Sequence, residues 1–239
     1  MTSKKRGEAL LVDGLLFELV RSPRRKTLTV EVAQTGVKVR APERMREATI
    51  YQFLRNKRRW IERHLADLPA PTPPLELETG AELRFLGETY RLRITSGRKS
   101  VHVDQGELVV PVVPSHLPRE QTVKRKLVKW YKETAHQYLA DRVARRAEAM
   151  FEHPTTATIK VRDYKRRWGS CDHRGDLSFN WRIMMAPETV IDYVVVHELA
   201  HLIEFNHSRR FWQIVEHQLP GWREQQQWLS KNGGHLYRF

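Results

Sequence analysis

The chain has 239 residues, enough for a sizeable buried core in one or two domains, and its 42 Lys and Arg against 28 Asp and Glu give a formal net charge of +14. One cysteine, Cys171, excludes an internal disulfide and a cysteine-built metal site. No run approaches the roughly 20 apolar residues of a membrane-spanning helix, and the opening Met1-Thr2-Ser3-Lys4-Lys5-Arg6 lacks the apolar core of a signal peptide, so a cytoplasmic protein with no membrane partner is expected.

Residues 15–20, 27–33 and 37–41 read as short strands and are followed by a basic helix over about 43–68. Pro69-Ala70-Pro71-Thr72-Pro73-Pro74 has the composition of a stiff extended linker. Beyond it, 82–85, 89–95, 101–103 and 107–110 read as further strands, forming with the first set either two related small sheets or one composite sheet. No internal repeat stands out. From 115 to about 150, Val123, Leu127, Trp130, Tyr131, Ala135, Tyr138, Leu139 and Val143 recur at the spacing of a long amphipathic helix. Alternation over 158–162 and again over 177–181 predicts two strands joined by a turn around 172–175. They form either a plain hairpin or the rim of a cleft along which an extended substrate pairs. The fold class is α+β, with a β-rich segment over 1–68, a linker over 69–74 and a further domain over 75–239.

Inside that last stretch stands His197-Glu198-Leu199-Ala200-His201. On a helix, a spacing of four turns the side chain by only about 40° and lifts it about 6 Å, so both imidazoles reach one metal ion. Glu198 lies close to the same face, where it can take a proton from water that the metal activates. The helix is apolar from Val190 through Val196 and again at Leu199, Ala200, Leu202 and Ile203, and a buried helix rarely carries two His and a Glu without a partner. A zinc ion satisfies all three groups. A hydrolytic zinc needs a third protein ligand and an open position. His207 is favoured, although on a continuous helix it would lie about 240° around from His201, so the chain must break between them. Asn206, which tolerates a left-handed conformation, can supply that break, and Ser208 or Asn206 can cap a new helix through Arg209, Phe211, Trp212, Ile214 and Val215. Glu204, one turn past His201, is the rival ligand. His217 and His235 read as surface or terminal histidines, and Cys171 as a small packed residue.

Basic clusters at 4–6, 21–26, 57–59, 124–126 and 165–167 are either a solubilising surface or a site for polyanions, whether nucleic acid or nucleotide phosphates. Trp60 and Trp168 could stack on bases but suit a core equally.

The runs RRWGSC, GDLSFNWR and APETVIDYVVVHELAHLIEFNHSRRFW look like the YgjP-like metallopeptidase family, bacterial relatives of the SprT-like and WLM zinc proteases. The resemblance covers nearly the whole chain, and the carboxy-terminal motifs are its specific part. It implies a zincin-like metallopeptidase domain over 75–239 with a long helix beside the HExxH helix, zinc ligands at His197, His201 and His207, and a general base at Glu198. Where metzincins carry a Gly after the second His, this chain has Glu204. Some members of the resembled family are described as UTP pyrophosphatases, so the bond cleaved stays open between peptide and phosphoanhydride. The expected function is zinc-dependent hydrolysis of a protein or peptide substrate. The alternatives are a nucleoside triphosphate pyrophosphatase and a basic nucleic-acid-associated module with structural zinc. Tyr193, Tyr164 and His173 are candidate donors to an oxyanion. The oligomeric state is not readable.

Overall fold

Four strands open the chain: β1 (Glu8–Val12), β2 (Leu15–Ser22), β3 (Thr29–Ala33) and β4 (Gly36–Pro42), in the order β1-β2-β4-β3. The structure, a computed structural model, describes residues 8–33, 36–66, 75–153 and 157–239, so the linker expected over 69–74 lies outside the described residues. The chain divides into two units, Met1–Thr72 and Pro73–Phe239. β1 escapes the sequence reading because Glu8-Ala9-Leu10-Leu11-Val12 runs four apolar residues together without alternation. The β1–β2 turn places Asp13 and Gly14 at φ 49° and 83°, the pair of left-handed residues that a two-residue hairpin of this twist requires. Leu10, Val12, Phe17, Leu19, Val37, Val39 and Ala41 form one buried cluster with Ile50, Leu54 and Ile61 of helix α1 (Glu47–Ala66), which starts four residues later than expected.

The second unit begins with β5 (Glu82–Phe85), β6 (Glu88–Ser96), β7 (His102–Asp104) and β8 (Glu107–Val112), ordered β5-β6-β8-β7 and followed by α2 (Arg119–Met150). Strand order and pairing repeat those of the first unit: β1–β2 and β5–β6 antiparallel, β2–β4 and β6–β8 parallel, β3–β4 and β7–β8 antiparallel. Leu86 and Gly87, at φ 51° and 87°, take the place of Asp13 and Gly14. The two sheets are therefore related copies, a repeat hidden in the sequence because backbone conformation and burial pattern recur while few residues are identical. The two turns are held differently, the first by Arg55 and Arg58 of α1, which bond to Asp13, and the second by close backbone packing. A Cβ on Gly14 would meet nothing within 4 Å, whereas one on Gly87 would stand 2.9 Å from Pro187 Cα, and Leu86 N–H donates to the Met184 carbonyl at 2.7 Å.

Helix α2 has 32 residues and spans about 48 Å. It buries Val123, Leu127, Tyr131, Ala135, Leu139, Val143 and Ala147, one residue in every four. Steps of four overshoot the helical repeat by about 40° each, so the stripe winds around the axis and successive turns face different neighbours. These are β8, the 3-10 turn Trp181–Met185, β9 (Ile159–Arg162) and α3 (Glu188–Ala200), the helix that carries the HExxH run. Tyr131, wholly buried, donates its hydroxyl to the Arg84 carbonyl at 2.6 Å.

The hairpin expected between 158–162 and 177–181 needs correction. β9 pairs parallel with β11 (Leu177–Asn180), and the antiparallel partner of β11 is the intervening β10 (Gly169–Cys171), giving the order β10-β11-β9. β10 is only Gly-Ser-Cys, too short to show alternation, and Trp181 falls in the 3-10 turn rather than the strand. The predicted turn does sit at the tip of the β10–β11 pair, where Asp172 Oδ1 accepts from Arg174 and Asp176 N–H at 2.9 and 3.0 Å. The chain ends with α4 (Arg209–Gln218), α5 (Trp222–Asn232) and the 3-10 turn Gly233–Tyr237. The class is α+β, and no described helix is long and apolar enough to cross a membrane.

An ion-pair cluster ties α2 to α3. Asp192, 7 % exposed, faces Arg146 at 2.5 Å and Arg142 at 3.4 Å, and Arg142 also pairs with Glu188 and donates to the Tyr138 hydroxyl at 2.6 Å. Replacing Asp192 by asparagine removes the carboxylate that faces both arginines, but Arg142 keeps Glu188 and both arginines are partly exposed and recover some hydration. The expected loss is about 1–3 kcal/mol, read as a drop of several degrees in melting temperature with metal content unchanged.

Candidate metal centre

Helix α3 is apolar almost all round, which is why nearly every residue from Val190 to Ala200 is buried. His197 and Glu198 occupy its last turn, and the helix stops at Ala200 with His201 at the C-cap. Leu202, Ile203 and Glu204 N–H groups fold back onto the carbonyls of Leu199, Ala200 and Ala200 at 3.0, 3.0 and 2.9 Å. The expected left-handed Asn206 is not found: among the described residues, positive φ outside glycine occurs only at Asp13, Leu86 and Gln105. The break is instead made by these consecutive tight turns, completed by a bond from Ser208 N–H to the Asn206 carbonyl at 2.7 Å. Ser208 then caps α4, its hydroxyl accepting from Phe211 N–H at 3.3 Å.

This bend returns His207 to α3. One ring nitrogen each of His197, His201 and His207 lies within 4.8 Å of the other two, and the Nε2 atoms of His197 and His207 are 3.0 Å apart. Two nitrogens bound at 2.0–2.1 Å to a tetrahedral ion would stand about 3.3 Å apart, so the spacing suits a shared metal. Phe211, fully buried, backs all three imidazoles with ring centroids 4.9, 4.6 and 4.7 Å away, and Trp212 flanks His197 and His207. Sequence reasoning placed both aromatics on α4 without linking them to the site. The available signal was their position just after the capping serine that aims His207.

Burial, helped by the two neighbouring imidazoles, pushes His197 down to about 3, so its ring is neutral with a nitrogen free to ligate. Burial also lowers His201, whose Nδ1 donates to the Glu204 carbonyl at 3.3 Å and leaves Nε2 unprotonated for a metal. Glu204 thus reaches the centre through its backbone, and its carboxylate is absent from the cluster. His217 closes α4 and His235 lies in the final 3-10 turn, both outside it.

Glu198 is 5 % exposed and lies against β10. A Cβ on Gly169 would sit 2.4 Å from Glu198 Oε1 and 2.6 Å from its Cγ, so only glycine leaves room for this carboxylate. Burial pushes the Glu198 carboxyl up to about 8, opposed by the Arg167 charge and by the Cys171 N–H that donates to it. The carboxyl therefore holds its proton well above the usual carboxylate range in the metal-free chain. Gly169→Ala is expected to push the carboxylate off its seat, lowering hydrolysis by about 10-fold or more while zinc content by elemental analysis stays the same. Cys171 itself is half-buried, its thiol is pushed up to about 11 by burial and the Glu198 charge, and it does not join the three converging histidines.

Of the candidate oxyanion donors, Tyr193 sits 5.9 Å from His197 by ring centroids and its hydroxyl is bonded to Gln226. The Tyr164 hydroxyl meets Ser170 Oγ on β10 at 3.0 Å, and His173 stacks on Phe205 at the hairpin tip. A cavity of about 380 Å³ opens beside His197 and Glu198, bounded by α3, α5 and the residues that lead into β10.

The model of the YgjP-like metallopeptidase domain matches residues 26–232. Two metallopeptidase zymogen crystal structures, abylysin of Pyrococcus abyssi and jannalysin of Methanocaldococcus jannaschii, are similar over 39 % of this chain and over 93 % and 95 % of their own, at 22 % and 17 % identity, each with a TM-score of 0.36. No curated protein matches significantly.

Proposed function

Because the chain belongs to the YgjP-like metallopeptidase family, we propose that it is a zinc-dependent peptidase whose metal is held by His197, His201 and His207 and whose general base is Glu198. The observation that carries this reading is the convergence of three imidazole nitrogens within 4.8 Å beside a buried carboxylate. A zinc ion bound there supplies a Lewis acid, which acidifies water and draws charge from a carbonyl oxygen. No further Cys, His, Asp or Glu among the described residues joins the three, which supports a site open to substrate rather than a closed structural one. Glu198 takes the proton of the water that attacks the carbonyl carbon and returns it to the amine nitrogen of the leaving strand. β10 lies at the edge of its sheet, an arrangement that suits pairing with an extended peptide. The excess of Lys and Arg suits polyanionic partners, nucleic acid among them.

The test is to supply zinc-loaded protein with a mixture of internally quenched peptides and, separately, with UTP. Peptide cleavage that vanishes in Glu198→Gln supports the reading. Pyrophosphate release from UTP with no peptide cleavage would replace it with the phosphoanhydride alternative.

A further inference from the structure

The cavity onto which His197 and Glu198 open is further lined by Trp168, Tyr193, Val194, Gln226 and Leu229, and by the exposed Arg167. Arg167 is its one cationic side chain, and its charge acts on Glu198, the one carboxyl on the same lining. Several contacts fix its place. The buried Asn180 bonds through Nδ2 to the Arg167 carbonyl at 3.2 Å and to the Tyr164 carbonyl at 2.9 Å, and Asn180 N–H donates to the Trp168 carbonyl at 2.8 Å. The Arg167 guanidinium lies 5.2 Å from the centre of the Tyr164 ring, and that tyrosine is in turn anchored to Ser170 on β10. Trp168 packs against Gly233, where a Cβ would stand 2.9 Å from its ring. A planar cation held on a rigid loop, over a pocket with aromatic and aliphatic walls, is built to receive an anionic group on a short apolar stem.

We infer that this cavity is a subsite for an anionic substituent of the substrate, with Arg167 as its counter-charge. The inference rests on the reading of the three histidines as the reaction centre. Its ligand chemistry is an oxyanion matched to a guanidinium, which comes either from an acidic side chain beside the scissile bond of a peptide or from a phosphate of a nucleotide. Solvent weakens the pair because Arg167 is exposed, so the preference expected is roughly five- to tenfold rather than absolute.

Binding is measured by calorimetry on zinc-loaded Glu198→Gln protein, which separates recognition from turnover. The probes are peptides identical except for Glu, Gln or Lys at the position flanking the cleaved bond, and UTP. Cleavage by the protein with Glu198 intact is followed in parallel. The Glu peptide is expected to bind roughly five- to tenfold more tightly than the Lys peptide, Arg167→Glu to invert that order, and Arg167→Lys to keep part of it. Melting curves verify that the exposed substitutions leave the fold intact. Arg167-dependent binding of UTP without any preference among the peptides would assign the anion to a phosphate. Peptides cleaved without regard to charge, and UTP bound equally with and without Arg167, would overturn the subsite while leaving the peptidase reading standing. Anion binding that depends on Arg167 with no peptide cleaved would do the reverse.

Discussion

Glu198→Gln is expected to lower peptide turnover by about 10²–10⁴-fold while the protein still binds close to one zinc ion. The amide keeps the size of the carboxyl and so keeps its place against Gly169, but it cannot accept a proton. Loss of zinc in this variant would contradict the assignment, since Glu198 is not among the three converging ligands. A second readout follows from its pKa. In the absence of metal the folded state holds the Glu198 proton up to about pH 8, whereas an unfolded glutamate releases it near 4.5. The folded chain then binds the extra proton between those values, so the contribution of this group to stability is complete below the lower one and is lost as pH rises through about 8. Chelator-treated Glu198→Gln protein is therefore expected to outlast its parent at pH 8 by roughly 2–4 kcal/mol and to match it closely at pH 5. Equal melting at both pH values would show that the carboxylate is better solvated than its burial implies.

His207→Ala is expected to weaken zinc binding by about 10²-fold or more and to remove activity in parallel. Its side chain is exposed and comes from outside α3, so the fold should survive and the effect should be read in metal titrations rather than in melting. Glu204→Gln is the matching control. The Glu204 carbonyl supports His201 and is untouched by that change, so zinc affinity should stay within about twofold. The opposite pattern, with His207→Ala silent and Glu204→Gln stripped of metal, would transfer the third ligand to Glu204.

Much of this was legible in the chain itself. The interval from His197 to His201 states its own geometry, and the need to break the helix before His207 follows from the helical angle alone. Ser208 was readable as a cap because a side-chain acceptor is wanted there. The route of the break was not: Asn206 looked like the hinge, yet tight turns at Leu202, Ile203 and Glu204 do the work, since residues other than Asn and Gly form them without positive φ. β10 was unreadable for a different reason. Three residues carry no period, and pairing with β11 is decided by the turn at Asp172 and by α3 behind it. The twin sheets stayed hidden because their likeness lies in turn conformation and strand order. Arg167 and Gly169 were visible as letters of a motif, but their roles depend on what stands opposite them in space.

The seat of Glu198 against Gly169, with the Cys171 N–H bonded to its carboxylate, makes strand and carboxyl a single mechanical part. Wherever that short ribbon goes, the Glu198 carboxyl goes with it. On the peptidase reading proposed above, a substrate paired with that strand would be placed against Glu198 by the same contacts that hold it.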